Sequence, residues 1–166
     1  MSKGLRLGHV AISQISASLR LFKDYIPREF SRKCRGLDEL DRWKATEFRQ
    51  FLLFSGIVAL RGRLSRVLYK HYLLFFVGIY CLASQVLFES HAEYAHDILI
   101  RFVAQARDIY GADFLVYNVH GLIHLANDVK RYGPLDSYLA FPFENFLGHL
   151  KLLVRKPQFP LQQVVR

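Results

Sequence analysis

The chain has 166 residues, 52% of them hydrophobic and 14% aromatic, with a formal net charge of +9 at pH 7. That length is one domain's worth, enough for a single core, and that apolar content excludes an intrinsically disordered chain. The basic balance favours acidic partners, whether nucleic acid, an anionic membrane face or an acidic protein, while the two cysteines, Cys34 and Cys81, exclude a disulfide framework.

No apolar run follows the first basic residues, so no signal peptide is expected and the chain reads as soluble and intracellular, with reduced thiols. Residues 1–24 form a helical lead-in and 25–166 the main domain. Ile12 to Ile26 predicts a helix with Ile12, Ile15, Leu19, Phe22 and Ile26 on one face, ended or kinked by Pro27. Arg28 to Gly36 is a basic loop. It is a solvated connector by default, or else a phosphate contact through Arg28, Arg32, Lys33 and Arg35. Cys34 stands among Arg32, Lys33 and Arg35, a setting that can lower a thiol pKa, although a lone cysteine in such a place is more often a bystander.

Leu37 to Phe54 reads as one amphipathic helix, with Leu40, Trp43, Glu47, Phe51 and Phe54 at helical spacing. Its aromatics suit core packing better than base stacking, because stacking platforms sit on strands and loops. Gly56 and Gly62 then break the pattern into a basic turn that brings Arg61, Arg63 and Arg66 together. A largely apolar helix follows, from about Ser65 to Phe88. Its densest part, Leu73 to Phe88, is shorter than the roughly 20 residues needed to cross a bilayer, which favours a buried core helix over a membrane span. Another helix runs from about Ser90 to Tyr110 and ends at Gly111. With no alternating strand pattern and no internal repeat, the expected fold is all-α: a single irregular bundle of six or seven helices.

Asn118 to Arg155 predicts helix, turn, helix. On the first helix Val119, Leu122, Ile123, Ala126 and Val129 share one face, and Tyr117, His120, His124, Asp128 and Arg131 line the other. Gly133-Pro134 closes it, and Pro142 opens the second. There Phe143, Phe146, Leu147, Leu150, Leu153 and Val154 gather on one side, away from a stripe of Glu144, Gly148, Lys151 and Arg155. His120 and His124, four apart, have the spacing of a metal-binding pair. However, Gly121 stands where a zinc-protease helix would carry Glu, and no third ligand follows in sequence. Without a metal, the two are partly exposed histidines. Glu144 suits the positive end of its helix; the alternative is a metal-binding carboxylate beside phosphate-holding cations.

Two stretches carry a resemblance. Residues 25–60, with WKATEFRQFLLF at their centre, resemble part of transposon-encoded proteins of animal genomes. Residues 118–157, with NVHGLIHL and FPFENFLGHLK, resemble the domain that follows the transposase core in CACTA (En/Spm-type) elements. The resemblance spans roughly residues 25–166 and is generic across 65–110. Cys34 and Ile57 depart from it, since the family pattern has proline at both places. It implies the C-terminal helical part of a DDE transposase, an enzyme that cuts and joins DNA with Mg²⁺ held by three carboxylates. By that resemblance Glu144 corresponds to the third carboxylate, and His120 and His124 to supporting positions. This chain has no strand region to supply the first two, so alone it is expected to be inactive and to bind no metal. The nucleus is the implied location. Partners would be an upstream transposase core or DNA, bound weakly and without sequence preference through Arg28, Arg32, Lys33, Arg35, Arg61, Arg63, Arg66, Lys151 and Arg155. Homo-oligomerisation stays open. Two alternatives stand beside this: a helical protein-interaction module left after loss of the core, and a small membrane protein spanning at 73–88.

Overall fold

The computed structural model describes residues 7–30, 32–139, 146, 151–156, 158–159 and 162–163. Among these there is no strand, and seven α-helices are joined by short 3₁₀ and π pieces, so the all-α expectation holds. Helix α1 (His9–Phe22) carries the predicted stripe as far as Phe22, with Ile15 and Leu19 fully buried, but it ends well before Pro27 and leaves Ile26 in the bend that follows.

The Leu37–Phe54 reading needs correction. The chain instead makes a 3₁₀ turn at Leu37–Arg42, an extended break at Trp43 and Lys44, α2 (Ala45–Gln50), a π turn at Phe51–Ser55 and α3 (Gly56–Leu60). Buried polar bonds cause the breaks. The Trp43 indole Nε1–H donates to the Gly36 carbonyl at 3.2 Å, which fixes the ring against the preceding loop. Glu47 then starts a fresh helix by accepting the Lys44 amide at 2.9 Å, the role an N3 carboxylate plays in a capping box. Gly56 is likewise no breaker. It lies buried inside the helical run, where a Cβ would stand 2.5 Å from both the Phe51 carbonyl oxygen and the Tyr72 hydroxyl. The π turn presses that carbonyl against it, so only glycine fits. Gly62, at φ +74°, does make the turn that follows.

α4 (Arg66–Ala83) and α5 (Phe88–Tyr110) form an antiparallel hairpin, capped at its start by the Ser65 hydroxyl accepting the Leu68 amide. By length and composition α4 could cross a membrane. Within the protein its His71, Gly78, Cys81, Leu82 and Ala83 are buried, and from Leu73 to Ile79 the other residues are half-buried. At Gly78 the two helices close to a distance at which a Cβ would meet the Leu99 side chain at 2.7 Å. Cys81, Leu82, Ala92, Ala95, Leu99, Ala126 and Val129 form one core, shared with α7 (Leu125–Tyr132). A second core gathers Ile15, Leu19, Cys34, Trp43, Ala59 and Leu60 around α1 and α3. Tyr69 and Tyr72 link α4 to this second core, their hydroxyls donating to the Ile57 and Leu52 carbonyls.

Candidate functional site

The first half of the predicted helix–turn–helix is formed by α6 (Tyr117–Gly121), one 3₁₀ turn at Leu122–His124, and α7. Its apolar stripe faces inward, with Ala126 and Val129 buried and Val119, Leu122 and Ile123 half-buried. Tyr117, His120, His124 and Arg131 are exposed, and Asp128 is half-buried. The His120 and His124 rings meet edge to face with centroids 5.3 Å apart. Gly133, at φ +86°, ends α7 as expected. Glu144 and most of the helix assigned to it lie outside the described residues. Lys151 and Arg155 are described and exposed. Nearby, the Gln163 side-chain carbonyl accepts the Arg155 and Lys156 amides, closing a small loop. Among the described residues no group of three or more His, Cys, Asp or Glu is placed to hold a metal ion.

The basic residues divide into exposed and engaged. Arg28, Arg32, Lys33, Arg61 and Arg66 are exposed. Arg35 is engaged: its Nε and Nη2 each donate to a Glu47 carboxylate oxygen at 2.7 Å, and Nη2 also reaches the Arg42 carbonyl. Those bonds, with the Lys44 amide helping, outweigh burial and hold the Glu47 carboxyl below its ordinary range. Arg63 is half-buried and ties α1 to α3, donating to the Ala59 carbonyl at 3.0 Å and the Ser18 hydroxyl at 2.8 Å. Cys34 is buried away from solvent, and its thiol donates to the Gln50 side-chain carbonyl at 2.8 Å. Sequence reading assigned Arg35, Arg63 and Cys34 no such partners, because Glu47, Ser18 and Gln50 lie 12, 45 and 16 residues away.

One feature escaped sequence reading altogether. A groove of about 430 Å³ opens between the end of α1 and the 50–58 segment, lined by Phe22, Tyr25, Ile26, Phe30, Phe54 and Val58. Phe30 and Gln50 also line an adjoining cavity of about 250 Å³, whose other walls include Glu29, Arg32, Thr46 and Arg49. There the Thr46 hydroxyl is buried with no hydrogen-bond partner among the described residues, and Arg49 is paired with Asp136. Another depression, of about 710 Å³, is lined by Gln14, Leu21, Arg61 and Arg63. No single stripe encodes this groove. It arises where two segments some 30 residues apart in sequence leave apolar side chains facing outward.

His71 is the most deeply buried ionisable side chain among the described residues, at 2% exposed. Its Nε2–H donates to the Phe102 carbonyl at 2.9 Å, which leaves Nδ1 to accept the Tyr110 hydroxyl at 3.0 Å. The ring stacks on Phe102, and burial holds its pKa below the ordinary value. This is a neutral structural histidine clamping α4 to α5.

Compared with protein families, with characterised proteins and with solved structures, the chain matches none.

Proposed function

We propose that the chain is a non-catalytic helical module of CACTA-type transposase ancestry, nuclear in location, with weak, sequence-independent affinity for DNA. The ancestry rests on the resemblance of residues 25–60 and 118–157. The DNA affinity rests chiefly on one observation: Arg28, Arg32, Lys33, Arg61, Arg66, Lys151 and Arg155 all keep their side chains exposed on a chain of net charge +9. Exposed guanidinium and ammonium groups displace counterions from phosphates and read no bases, so they supply affinity without preference. Arg35, with two of its nitrogens on Glu47, contributes less than the sequence suggested.

Two-metal strand cleavage needs carboxylates that bridge both ions. On this reading the chain holds at most the third, Glu144, with His120 and His124 beside it, and Mg²⁺ belongs to a complete transposase with an upstream core. The test is a titration of a labelled duplex at rising salt, with cleavage followed in Mg²⁺ or Mn²⁺. Expected are binding that weakens by at least about tenfold between roughly 50 and 200 mM salt, equal affinity for unrelated duplexes, and intact DNA. Affinity unchanged by salt would refute the DNA reading. Metal-dependent cleavage abolished by Glu144→Gln would refute the non-catalytic one.

A further inference from the structure

The groove at the end of α1 leaves large apolar side chains uncovered. Tyr25 is 79% exposed, Phe54 45% and Val58 57%. Single exposed apolar residues are ordinary, but a contiguous set around a concavity marks a surface that another molecule covers. Phe54 and Val58 stand four residues apart on one wall, inside the helical run from Phe51 to Leu60, while Tyr25 and Ile26 come from the turn beyond α1. That helical wall repeats with one helical turn.

The geometry of the walls selects the shape of the occupant. Among the described residues there is no strand, hence no sheet edge to which an extended peptide could add itself. An occupant must satisfy its own backbone, and an amphipathic helix does so while presenting apolar residues at i, i+3 or i+4, and i+7.

Charge selects its chemistry. The groove's own lining is uncharged; the cavity that shares Phe30 and Gln50 with it adds Arg32 and Arg49 against one acid, Glu29. Arg61, three residues after Val58, is exposed and lines the depression along α1 with Arg63. A second copy of the chain, at net +9, would bring the wrong sign. So would the chain's own C-terminal stretch, where exposed Phe146, Leu152 and Leu153 travel with Lys151, Arg155 and Lys156.

We propose that this groove is a docking site for an amphipathic helix of another protein, seating its apolar face on Tyr25, Ile26, Phe54 and Val58 and carrying Asp or Glu toward Arg61 and Arg32. Arg49, already paired with Asp136, and Glu29 at the same end make Arg32 the cation more open to the ligand there. The apolar contacts are separate from the DNA reading, because phosphates do not use them, whereas Arg32 and Arg61 belong to both.

The test uses the full chain and a fluorescent synthetic peptide of about 18 residues, long enough to hold helix. It has leucines at i, i+3, i+4 and i+7 and glutamates at both ends. The expected result is saturable binding at least about tenfold tighter than that of a shuffled peptide of the same composition or of a version with lysine for glutamate. Val58→Asp, at an exposed position and checked for retained helicity, should cost the peptide at least about tenfold. Val86→Asp, on a distant exposed turn, should cost nothing, and duplex affinity should not follow the Val58→Asp change. Equal binding of the shuffled peptide would overturn the proposal as simple charge attraction. Tighter binding after Phe146→Asp would overturn it in favour of the chain's own C-terminal stretch. Loss of duplex or anionic-vesicle binding on Val58→Asp, with no peptide binding, would assign the groove to nucleic acid or to a lipid surface instead.

Discussion

Between Arg66 and Tyr110 the chain forms two long helices, of 18 and 23 residues, whose shared core is apolar and clamped by one buried histidine. Between Cys34 and Leu60 it passes through four short helical pieces arranged around buried Glu47, Gln50 and Ser55. The hairpin is held by side-chain volume, the earlier segment by hydrogen bonds that reach across the interruptions between its helical pieces. The two regions should therefore fail differently. Volume loss should damage the first most, and loss of a carboxylate the second.

The largest effect is expected in the hairpin. Leu99 is fully buried and fills the space over Gly78. Leu99→Ala should destabilise the fold by about 3 kcal/mol, the transfer loss plus an unfilled cavity. Urea denaturation should show a lower midpoint with an unchanged slope. A loss below about 1 kcal/mol would mean that the hairpin collapses around the gap and is not packed as described.

Next comes Glu47→Ala, expected to cost about 2 kcal/mol. That is less than for a wholly buried pair, because Arg35 keeps 30% of its side chain exposed and can return to water. The sign of the acid response follows from the direction of the shift. The folded Glu47 carboxyl titrates below its ordinary 4.5, so its stabilisation is fully present above that pH and is lost as pH falls through the folded value. Stability that falls between neutral pH and about 2 should fall less in the variant, in this lowest part of the range.

These two sites also mark how much could be read beforehand. The hairpin helices, α1 and the apolar stripe of α6–α7 were legible because their burial repeats every three to four residues: Ala92, Ala95, Leu99, Phe102 and Ala106 are all buried. The 37–54 stretch carries the same spacing in Leu40, Trp43, Glu47, Phe51 and Phe54, yet Leu40 and Phe54 are exposed. The bonds that override its periodicity join residues far apart or turn a side chain onto the backbone, and a one-dimensional pattern holds neither. The basic clusters were legible as composition, but Arg35 and Arg63 were assigned to solvent because their partners belong to other segments. The groove was not legible at all, since its two walls meet only through the tertiary fold.

A smaller effect separates the regions by pH. Burial holds the folded His71 pKa below its ordinary 6.5, so the unfolded chain takes up the proton first. The hairpin's stabilisation from neutral His71 is then complete above about pH 6.5 and declines as pH falls toward the folded value, by at most about 1.4 kcal/mol per pH unit. The expected signature is a loss of stability that sets in as pH falls below about 6.5, above where the Glu47 response begins, and that vanishes in His71→Asn. A slope over that range that survives the substitution would place the titrating group elsewhere.

The smallest expected effect is at His120 and His124, and it sharpens the contrast with His71. Both are exposed, their rings touch only edge to face, and no described carboxylate or thiol joins them in a metal-binding group. Exposed side chains contribute little to stability, and among the described residues neither ring has a hydrogen-bond partner, so His120→Ala and His124→Ala should each change it by less than about 0.5 kcal/mol. The pair can still present two imidazoles on one helical face, which gives Zn²⁺ only half of its usual tetrahedral set. Added Zn²⁺ should accordingly raise the melting temperature little, and equally little in either variant. A large Zn²⁺-dependent stabilisation, lost in both variants, would require further ligands to close on the pair. It would turn this exposed stripe from a solvated face into one wall of a metal centre, and Glu144 would be the first residue to substitute in search of the third ligand.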